Sequence, residues 1–352
     1  MFQAAAGLAG RGHEVTIVSR PGAALEAKAA EHRISFQPLG LRHQFDLVSI
    51  VALRALIREK KPDVIHVHKG VAHAVALAAT LNRPLGAFVV NRGVSFPLDV
   101  WNRGKYRTAR VDRIVTVCRQ IKDVIVASGK LPYSKVQVVY AGTDVAVFDP
   151  ERHDDRAFRR EKGIGSDRFL IAQVGIRDWK GWKELIDAVA AVVLQHPRVH
   201  LVLIGDVRHH DEVRSYAAAR GVSGHITPVE YRTDMPNVFS SCDLVVDASW
   251  AGTGITGTIR EAMAMCKPVI ATNAGGNDEL VSSPSVGWLV PMRDHDRLTA
   301  AIEEVIGDPQ RSEEVGRNAR GHVVRGFSSG LRISALEELY RSILQTKGMP
   351  SE

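Results

Sequence analysis

The sequence predicts an α/β protein in which two doubly wound parallel sheets occupy successive halves of the chain. Short runs rich in β-branched residues alternate with helical patterns from one end to the other, which is typical of βαβ units. The chain has 352 residues, 45% of them apolar, which is enough for two hydrophobic cores of ordinary size. We therefore expect two domains.

The first half opens on a helical pattern at residues 2–10, with no strand before it. Six strands are then predicted, at residues 14–19, 34–39, 63–68, 87–92, 113–118 and 136–141. In a doubly wound sheet the first strand is central, so this sheet is expected to lack its first strand. We expect that about 20 to 30 residues, encoding a strand and a glycine-rich turn, are missing before Phe2.

A loop rich in turn residues, 142–150, follows the sixth strand and predicts a linker. It separates an N-terminal domain, residues 1–148, from a C-terminal domain, residues 149–328. The second half contains six more predicted strands, at residues 169–175, 199–205, 225–230, 244–249, 268–273 and 287–291. The final helical pattern, residues 331–344, carries an apolar stripe that must cover another surface.

Composition narrows the class of protein. No apolar stretch approaches the roughly 18 residues that a membrane helix needs, and the first ten residues lack a signal peptide pattern. We therefore expect a cytoplasmic protein. Lys and Arg outnumber Asp and Glu by 46 to 39, which suits a phosphate-bearing ligand or an anionic membrane face. No nucleic-acid partner is expected, because neither a DNA-reading helix nor a basic-aromatic pattern is found.

A glycine-rich loop leading into a helix is the most informative stretch of the chain. Glycines allow backbone N–H groups to approach a ligand closely, and the helix N-terminus adds unpaired donors and partial positive charge. The loop therefore predicts a phosphate-binding site at Gly252, Gly254, Ile255, Thr256, Gly257 and Thr258. The alternative is purely structural, because Thr258 and Glu261 have the spacing of a capping box.

Beyond this loop, the segments 260–264 (Arg-Glu-Ala-Met-Ala) and 267–272 (Lys-Pro-Val-Ile-Ala-Thr) are followed by Gly275-Gly276 and by 279–281 (Glu-Leu-Val). In order and spacing they resemble the donor-site signature of glycosyltransferase family 4. The resemblance extends over nearly the whole chain, including 174–181, 201–206, 287–291 and 142–144.

The resemblance implies a GT-B fold, with two Rossmann-like domains facing a cleft and the final helix, 329–346, packed on the first domain. It implies transfer of sugar from a nucleotide-diphosphate sugar, with retention at the anomeric carbon. No metal and no other cofactor are expected. Family habit suggests a glycan or lipid-linked acceptor in cell-envelope polysaccharide synthesis.

Three charged residues are assigned to the donor by this resemblance. Arg177 and Lys180 follow a strand end and are expected to stabilise the departing diphosphate in place of a metal. Glu261 matches the second acid of the family's paired glutamates and is expected to hold the ribose hydroxyls. The first acid is absent, since its position falls on Thr253 or Ala251, and the arginine lies three residues before the lysine instead of five.

These departures leave two other interpretations open. One is a truncated or degenerate member that binds a nucleotide or a partner without transferring sugar. The other is a GT-B epimerase that acts on the same donors. A dehydrogenase is rejected, because Gly7, Gly10 and Gly12 end a helix and lead into a strand, whereas a dinucleotide fingerprint follows a strand and opens a helix.

Acceptor-side residues are predicted in the first half. His66 and His68 alternate on one strand and so share a face near its carboxyl end. A metal site with His73 as third ligand is less favoured than a structural or acceptor-side role, because one strand face and the following helix seldom bring three histidines together. Arg92 closes another strand, where the family often places a histidine that meets the donor sugar. It is expected to meet a phosphate or an acidic acceptor, unless it is only a surface charge.

The segment 101–113 predicts peripheral contact with an anionic membrane, with an ordinary solvated face as the alternative. It combines basic residues at helical spacing with interfacial aromatic residues: Arg103, Arg107 and Arg110, flanked by Lys105 and Arg113, and Phe96, Trp101 and Tyr106. Elsewhere, the run Asp294-His295-Asp296 precedes a predicted helix and is interpreted as an N-cap and not as a metal ligand set.

Overall fold

The computed structural model describes residues 1–22, 24–82, 86–251 and 254–349, and the chain divides into two compact units. Unit 1 comprises Met1–Gly142 and Ser329–Glu352, and unit 2 comprises Thr143–Ser328. The change of unit after Gly142 lies earlier than the predicted boundary at 148. Thr143 belongs to unit 2 because its backbone N–H donates to the carbonyl of Phe327 (2.9 Å).

Unit 1 has the predicted alternation of helices and strands. Its strands are β1 (Thr16–Ser19), β2 (Ser35–Pro38), β3 (Val64–Val67), β4 (Ala87–Arg92), β5 (Arg113–Thr116) and β6 (Val136–Val138). Its helices are α1 (Phe2–Ala9), α2 (Ala24–Glu31), α3 (Leu47–Lys60), α4 (Gly70–Ala79), α5 (Val100–Arg107), α6 (Arg119–Gly129) and the final helix α15 (Ser329–Thr346). A short 3-10 helix, Tyr133–Lys135, precedes β6.

The strands of unit 1 form two parallel sheets and not one. β1 pairs with β2, and a second sheet has the order β3-β4-β5-β6; no pairing among the described residues joins the two. The final helix covers the four-stranded sheet, because Leu336, Leu339 and Ile343 pack with Val89 and Val115 in one buried cluster. Leu336, Leu339 and Ile343 belong to the apolar stripe of α15 that the sequence shows.

Unit 2 contains the remaining elements. Its strands are β7 (Phe169–Val174), β8 (Val199–Gly205), β9 (Ile226–Glu230), β10 (Leu244–Asp247), β11 (Val269–Thr272) and β12 (Trp288–Val290). Its helices are α7 (Ala157–Lys162), α8 (Trp182–Val192), α9 (His210–Ala219), α10 (Met235–Ser241), α11 (Gly257–Ala264), α12 (Asn277–Leu280), α13 (His295–Gly307) and α14 (Pro309–Gly326). Four 3-10 helices are interspersed, at Pro150–Arg152, Asp178–Lys180, Val207–His209 and Ser223–His225.

All six strands of unit 2 form one parallel sheet with the order β12-β11-β10-β7-β8-β9. Near-continuous apolar runs in β7, β8 and β10 reflect helices on both faces of a buried parallel sheet. The interpretation of Asp294 as an N-cap is confirmed, since its side chain accepts from the backbone N–H of Arg297 (2.9 Å) at the start of α13. None of the helices in the described ranges is long and apolar enough to cross a membrane.

Candidate functional site

The strand order of the sheet in unit 2 indicates a binding site at the carboxyl ends of β7 and β10. From β7 the chain continues to β8 on one side, and it later returns to β10 on the other side. Loops after two such parallel strands leave in opposite directions, so a crevice opens at their carboxyl ends. The loop after β7 carries Arg177 and Lys180, and the loop after β10 leads into α11. The predicted donor residues therefore lie in the two loops that border the crevice.

The two loops are joined at the backbone. Gly181 has φ +67°, and a Cβ placed there would lie 2.0 Å from the carbonyl oxygen of Ala248. Trp250 donates its backbone N–H to the carbonyl of Trp179 and its indole N–H to the carbonyl of Asp178, both at 2.9 Å. Only glycine permits this approach in a left-handed conformation.

A buried glutamine side chain also connects the loop after β7 to the loop after β10. Gln173 in β7 is fully buried; its Oε1 accepts from the N–H of Ala248 (3.0 Å) and its Nε2 donates to the carbonyl of Lys180 (3.1 Å). Sequence reasoning missed this residue. The available signal was a glutamine inside an otherwise apolar strand, because a buried amide requires hydrogen-bond partners.

The two predicted cations have different surroundings. Lys180 is largely buried, with its side chain 14% exposed and its Nζ 3.7 Å from Oδ1 of Asp247. Arg177 is exposed, and no hydrogen bond or ion pair of its guanidinium is found within the described part of the chain. Arg177 is therefore free to reach an anion, whereas Lys180 already has a countercharge, which the sequence did not indicate.

The loop after β10 is hydrogen-bonded to Asn277, which begins α12 after the loop that follows β11. The backbone N–H of Thr256 donates to Oδ1 of the buried Asn277 (3.0 Å), whose Nδ2 donates to the carbonyl of Thr272 (3.1 Å). The hydroxyl of Thr256 is buried and has no partner among described atoms. Of the other predicted loop residues, Gly254 is half-buried and Ile255 is buried, whereas Gly252 lies, with Thr253, outside the described residues.

The start of α11 corrects the capping-box alternative. The helix begins at Gly257 with Thr256 at the N-cap, so Thr258 is the second residue of the helix and cannot cap it. The backbone N–H groups of Gly257, Thr258 and Ile259 donate no hydrogen bond to any atom of the described residues, so they remain available to an anion, as the glycine-rich loop predicts.

Glu261 lies one turn into α11. Burial raises the pKa of its carboxyl group, and the neighbouring Arg260 opposes that shift. Arg260 is itself buried, and its Nε donates to the hydroxyl of Thr143 (2.8 Å). No hydrogen bond or ion pair to the carboxylate of Glu261 occurs within the residues described. A largely buried carboxylate of this kind gains most from a ligand that donates hydrogen bonds, such as a pair of ribose hydroxyls.

The predicted acceptor-side residues lie on two neighbouring strands of unit 1 or directly after them: His66 is in β3, His68 follows its last residue, Val67, and Arg92 ends β4. The rings of His66 and His68 stack, with centroids 4.4 Å apart, and Nδ1 of His66 lies 2.6 Å from the hydroxyl of Tyr340. Burial lowers the pKa of His68 to about 3 and that of His66 well below its usual value, so both rings are neutral near pH 7. Arg92, at the end of β4, donates to the carbonyl of Phe96 (2.7 Å).

His73 does not join these histidines. Its ring packs edge-on against Tyr106, with centroids 4.8 Å apart. Within the described ranges, no three His, Cys, Asp or Glu side chains are arranged so that they could hold a metal ion.

The predicted membrane segment is smaller than expected. α5 ends at Arg107, so Arg110 is not on its basic face; it donates to the carbonyl of Thr80 instead. Tyr106 is buried and cannot act as an interfacial aromatic residue. Trp101 and Phe96 remain exposed, at 95% and 60%. Spacing alone could not show these differences, because the end of α5 and the contacts of Tyr106 and Arg110 with α4 and its C-cap Thr80 decide them.

Two family models match successive parts of the chain. The model described as Glycosyltransferase Family 4 matches residues 1–147, and the model described as Glycosyl transferases group 1 matches residues 154–322. The second match contains the crevice loops and α11.

Curated relatives match most of the chain at low identity. The UDP-Gal:alpha-D-GlcNAc-diphosphoundecaprenol alpha-1,3-galactosyltransferase of Escherichia coli is 22% identical, with 86% of this chain and 81% of the relative covered. The capsular polysaccharide biosynthesis glycosyltransferase CapM of Staphylococcus aureus is 23% identical, with 85% and 82% covered.

Solved structures share the fold. A glycosyltransferase from Rickettsia africae superposes with a TM-score of 0.90 at 21% identity, covering 97% of this chain and 93% of the other. HepE of Anabaena in complex with UDP gives a TM-score of 0.84 at 21% identity, covering 97% and 94%.

Proposed function

This chain belongs to glycosyltransferase family 4, with a GT-B fold of two Rossmann-like domains, and we propose that it transfers sugar with retention to a glycan or lipid-linked acceptor, independently of metal. As a glycosyltransferase it acts on a nucleotide sugar. In the proposed step the bond between the anomeric carbon and the diphosphate oxygen breaks, and a bond to an acceptor hydroxyl oxygen forms on the same face. The hydroxyl proton is released and the nucleoside diphosphate leaves.

The observation that carries the donor assignment is the start of α11 beside the carboxylate of Glu261, both without hydrogen-bond partners among the described residues. The helix N-terminus and Lys180 supply positive charge for a leaving diphosphate, and Arg177 can add to it from the surface of the same loop. These groups provide the neutralisation for which other transferases use a metal. Glu261 would hold the ribose, and His66, His68 and Arg92 would face the acceptor.

The acceptor class is inferred from the relatives. The matched Escherichia coli enzyme is named for a sugar carried on diphosphoundecaprenol, and the Staphylococcus aureus enzyme for capsular polysaccharide. A lipid-linked glycan of the cell envelope is therefore the first acceptor to test.

The test is product analysis. The purified protein is incubated with UDP- and GDP-hexoses of α configuration, with and without EDTA, and with undecaprenyl-diphosphate sugars or free glycans as acceptors. We expect a new α-glycosidic bond, seen by NMR, whose rate EDTA does not change. Donor isomerisation would identify an epimerase, and nucleotide binding without product would identify a degenerate member; either result would contradict the proposal.

Glu261→Gln is expected to weaken nucleotide binding about tenfold, because a neutral amide accepts hydroxyl hydrogen bonds less strongly than a carboxylate. Wild-type affinity should fall as the pH drops through the raised pKa of Glu261, since protonation removes the charge. The variant should not show this fall. Calorimetric titration with UDP and GDP at several pH values measures both effects.

Glu313→Gln is the matched control, because Glu313 pairs with Arg317 on the exposed face of α14. It should bind nucleotide as the wild type does at each pH. Equal affinity and equal pH dependence in Glu261→Gln and wild type would remove Glu261 from the donor site.

Peripheral contact with an anionic membrane is the second part of the proposal. The start of α5 presents Val100 and Trp101, 71% and 95% exposed, and the exposed Arg107 ends the same helix. Apolar side chains that can enter a bilayer, combined with basic groups that attract its headgroups, are what an interfacial helix requires. A cytoplasmic protein with this surface would lie on the anionic inner face of the membrane.

Trp101→Ser is expected to weaken binding to anionic vesicles about tenfold or more, because one large buried apolar side chain is worth about 1.5 to 3 kcal/mol. Leu194→Ser is the control, since Leu194 is 83% exposed on unit 2. A variant of α3, Val48→Ser, tests a second group of exposed apolar side chains at the start of that helix, Phe45, Leu47, Val48 and Val51, in which Val48 is 80% exposed. Equal sedimentation with anionic and neutral vesicles at low salt, or loss of binding in the α3 variant alone, would contradict the assignment to α5.

A further inference from the structure

A buried acid, which the sequence analysis did not assign to the donor site, lies at the end of β10. Asp247 is the last residue of β10, after three apolar residues, and only 2% of its surface is exposed. Its strand lies between β7 and β11, with Asp247 opposite Ala271. The acid therefore stands at the carboxyl end of β10, directly beside the crevice.

The carboxylate is held through one oxygen. Its Oδ1 accepts from the backbone N–H of Ser249 (3.1 Å) and from the hydroxyl of the same residue, and it lies 3.7 Å from Nζ of Lys180. Its Oδ2 is buried and has no hydrogen-bond partner within the described residues. A buried carboxylate with an unpartnered oxygen destabilises the fold, and a buried ion pair is weak evidence for stability. Packing alone therefore does not explain this acid.

The ammonium of Lys180 is fixed from two sides. Asp247 lies at 3.7 Å, and the ring centroid of Trp179 lies 5.2 Å away. The separation from Asp247 exceeds the roughly 2.7 to 2.9 Å of a strong charge-assisted hydrogen bond. The two groups therefore form an ion pair without a direct hydrogen bond. An ammonium has three N–H donors, and at least two remain for phosphate oxygens.

We propose that Asp247 is a positioning residue for sugar transfer, whose carboxylate directs the ammonium of Lys180 toward the donor diphosphate. The inference rests on the proposed function. It gives this crevice an acid although Thr253 and Ala251, where the family's first glutamate is expected, carry none. Asp247 acts through Lys180 and does not itself contact the donor.

Asp247→Asn removes the charge while keeping the size of the side chain. We expect kcat to fall about 10- to 100-fold, the scale of a misplaced reacting or stabilising group. The Kd for UDP or GDP should change less than about threefold, because the diphosphate still meets Lys180 and α11. A merely structural defect would instead weaken nucleotide binding and lower kcat together.

A double-mutant cycle decides whether the effect passes through Lys180. In a Lys180→Met background, Asp247→Asn should lower kcat no further, since the group that it directs is gone. Ser249→Ala is a second variant, in case Asp247→Asn does not fold. It removes the hydrogen bond from the Ser249 hydroxyl to Oδ1 of Asp247 without changing the charge. It should also lower kcat, but by a smaller factor than Asp247→Asn. Asp211→Asn, at an exposed acid paired with Arg214, is the control and should leave kcat unchanged.

Equal kcat for Asp247→Asn and wild type, or the same fold decrease with and without Lys180, would overturn the positioning role while leaving the transferase assignment intact. A wild-type protein that binds UDP or GDP but transfers no sugar would overturn the proposed function, and the role of Asp247 with it. The two failures are thus distinguishable in one set of assays.

Discussion

Lys180→Met is expected to lower kcat about 100-fold or more, the usual scale when one group that stabilises developing charge is removed. Lys180 reaches the crevice from the loop after β7, and its side chain is only 14% exposed. Methionine retains the length and the packing of the aliphatic stem, so the loss reports on the charge. Transfer kinetics and nucleotide titration measure the effect, and both kcat and affinity should fall.

Lys183→Met is the matched control. Lys183 lies three residues further on and pairs with Glu212 at 2.8 Å and Asp178 at 3.8 Å on the surface. Its replacement should leave turnover within about twofold, because exposed ion pairs contribute little. Arg177→Ala should resemble Lys180→Met, with a fall of about 100-fold. Unchanged turnover and nucleotide affinity in Lys180→Met or Arg177→Ala would remove that residue from the diphosphate site.

Gly181→Ala is expected to have the largest effect on stability. The substitution forces a left-handed conformation on alanine, and its Cβ would overlap the carbonyl oxygen of Ala248 at 2.0 Å. The conformational strain costs about 1 to 2 kcal/mol, and overpacking against backbone adds about 1 to 3 kcal/mol. Because Lys180 precedes Gly181 directly, turnover of the folded variant should also fall at least about tenfold.

Gly163→Ala separates the two causes. Gly163 has φ +66°, nearly the same as Gly181, but a Cβ there would meet no atom within 4 Å. It should lose only the conformational part, about 1 to 2 kcal/mol of unfolding free energy, and keep its turnover. Urea denaturation compares the two variants. If Gly181→Ala were as stable and as active as Gly163→Ala, the contact between the crevice loops would not be as close as the structure shows.

The predicted secondary structure depended on local patterns, and these were sufficient for most elements. Short runs rich in β-branched residues located all twelve strands of the described residues, although each predicted strand was as long as or longer than the observed one. The cap at Asp294 was also found, because a capping side chain bonds a backbone group only three residues away. The capping box at Thr258 and Glu261 failed for the converse reason: the start of α11 at Gly257 follows from the loop that Asn277 holds.

The sequence by itself determined the α/β class, the order of elements and, through the resemblance, the loops assigned to the donor. The tertiary structure alone decided that Gly142 ends the first unit, that Arg110 binds the carbonyl of Thr80, and that Lys180 faces Asp247. The physical reason is the range of the interactions. Helix and strand patterns repeat within a few residues, whereas Lys180 and Asp247 are neighbours only because β7 and β10 pair across a sheet whose order the local pattern does not contain.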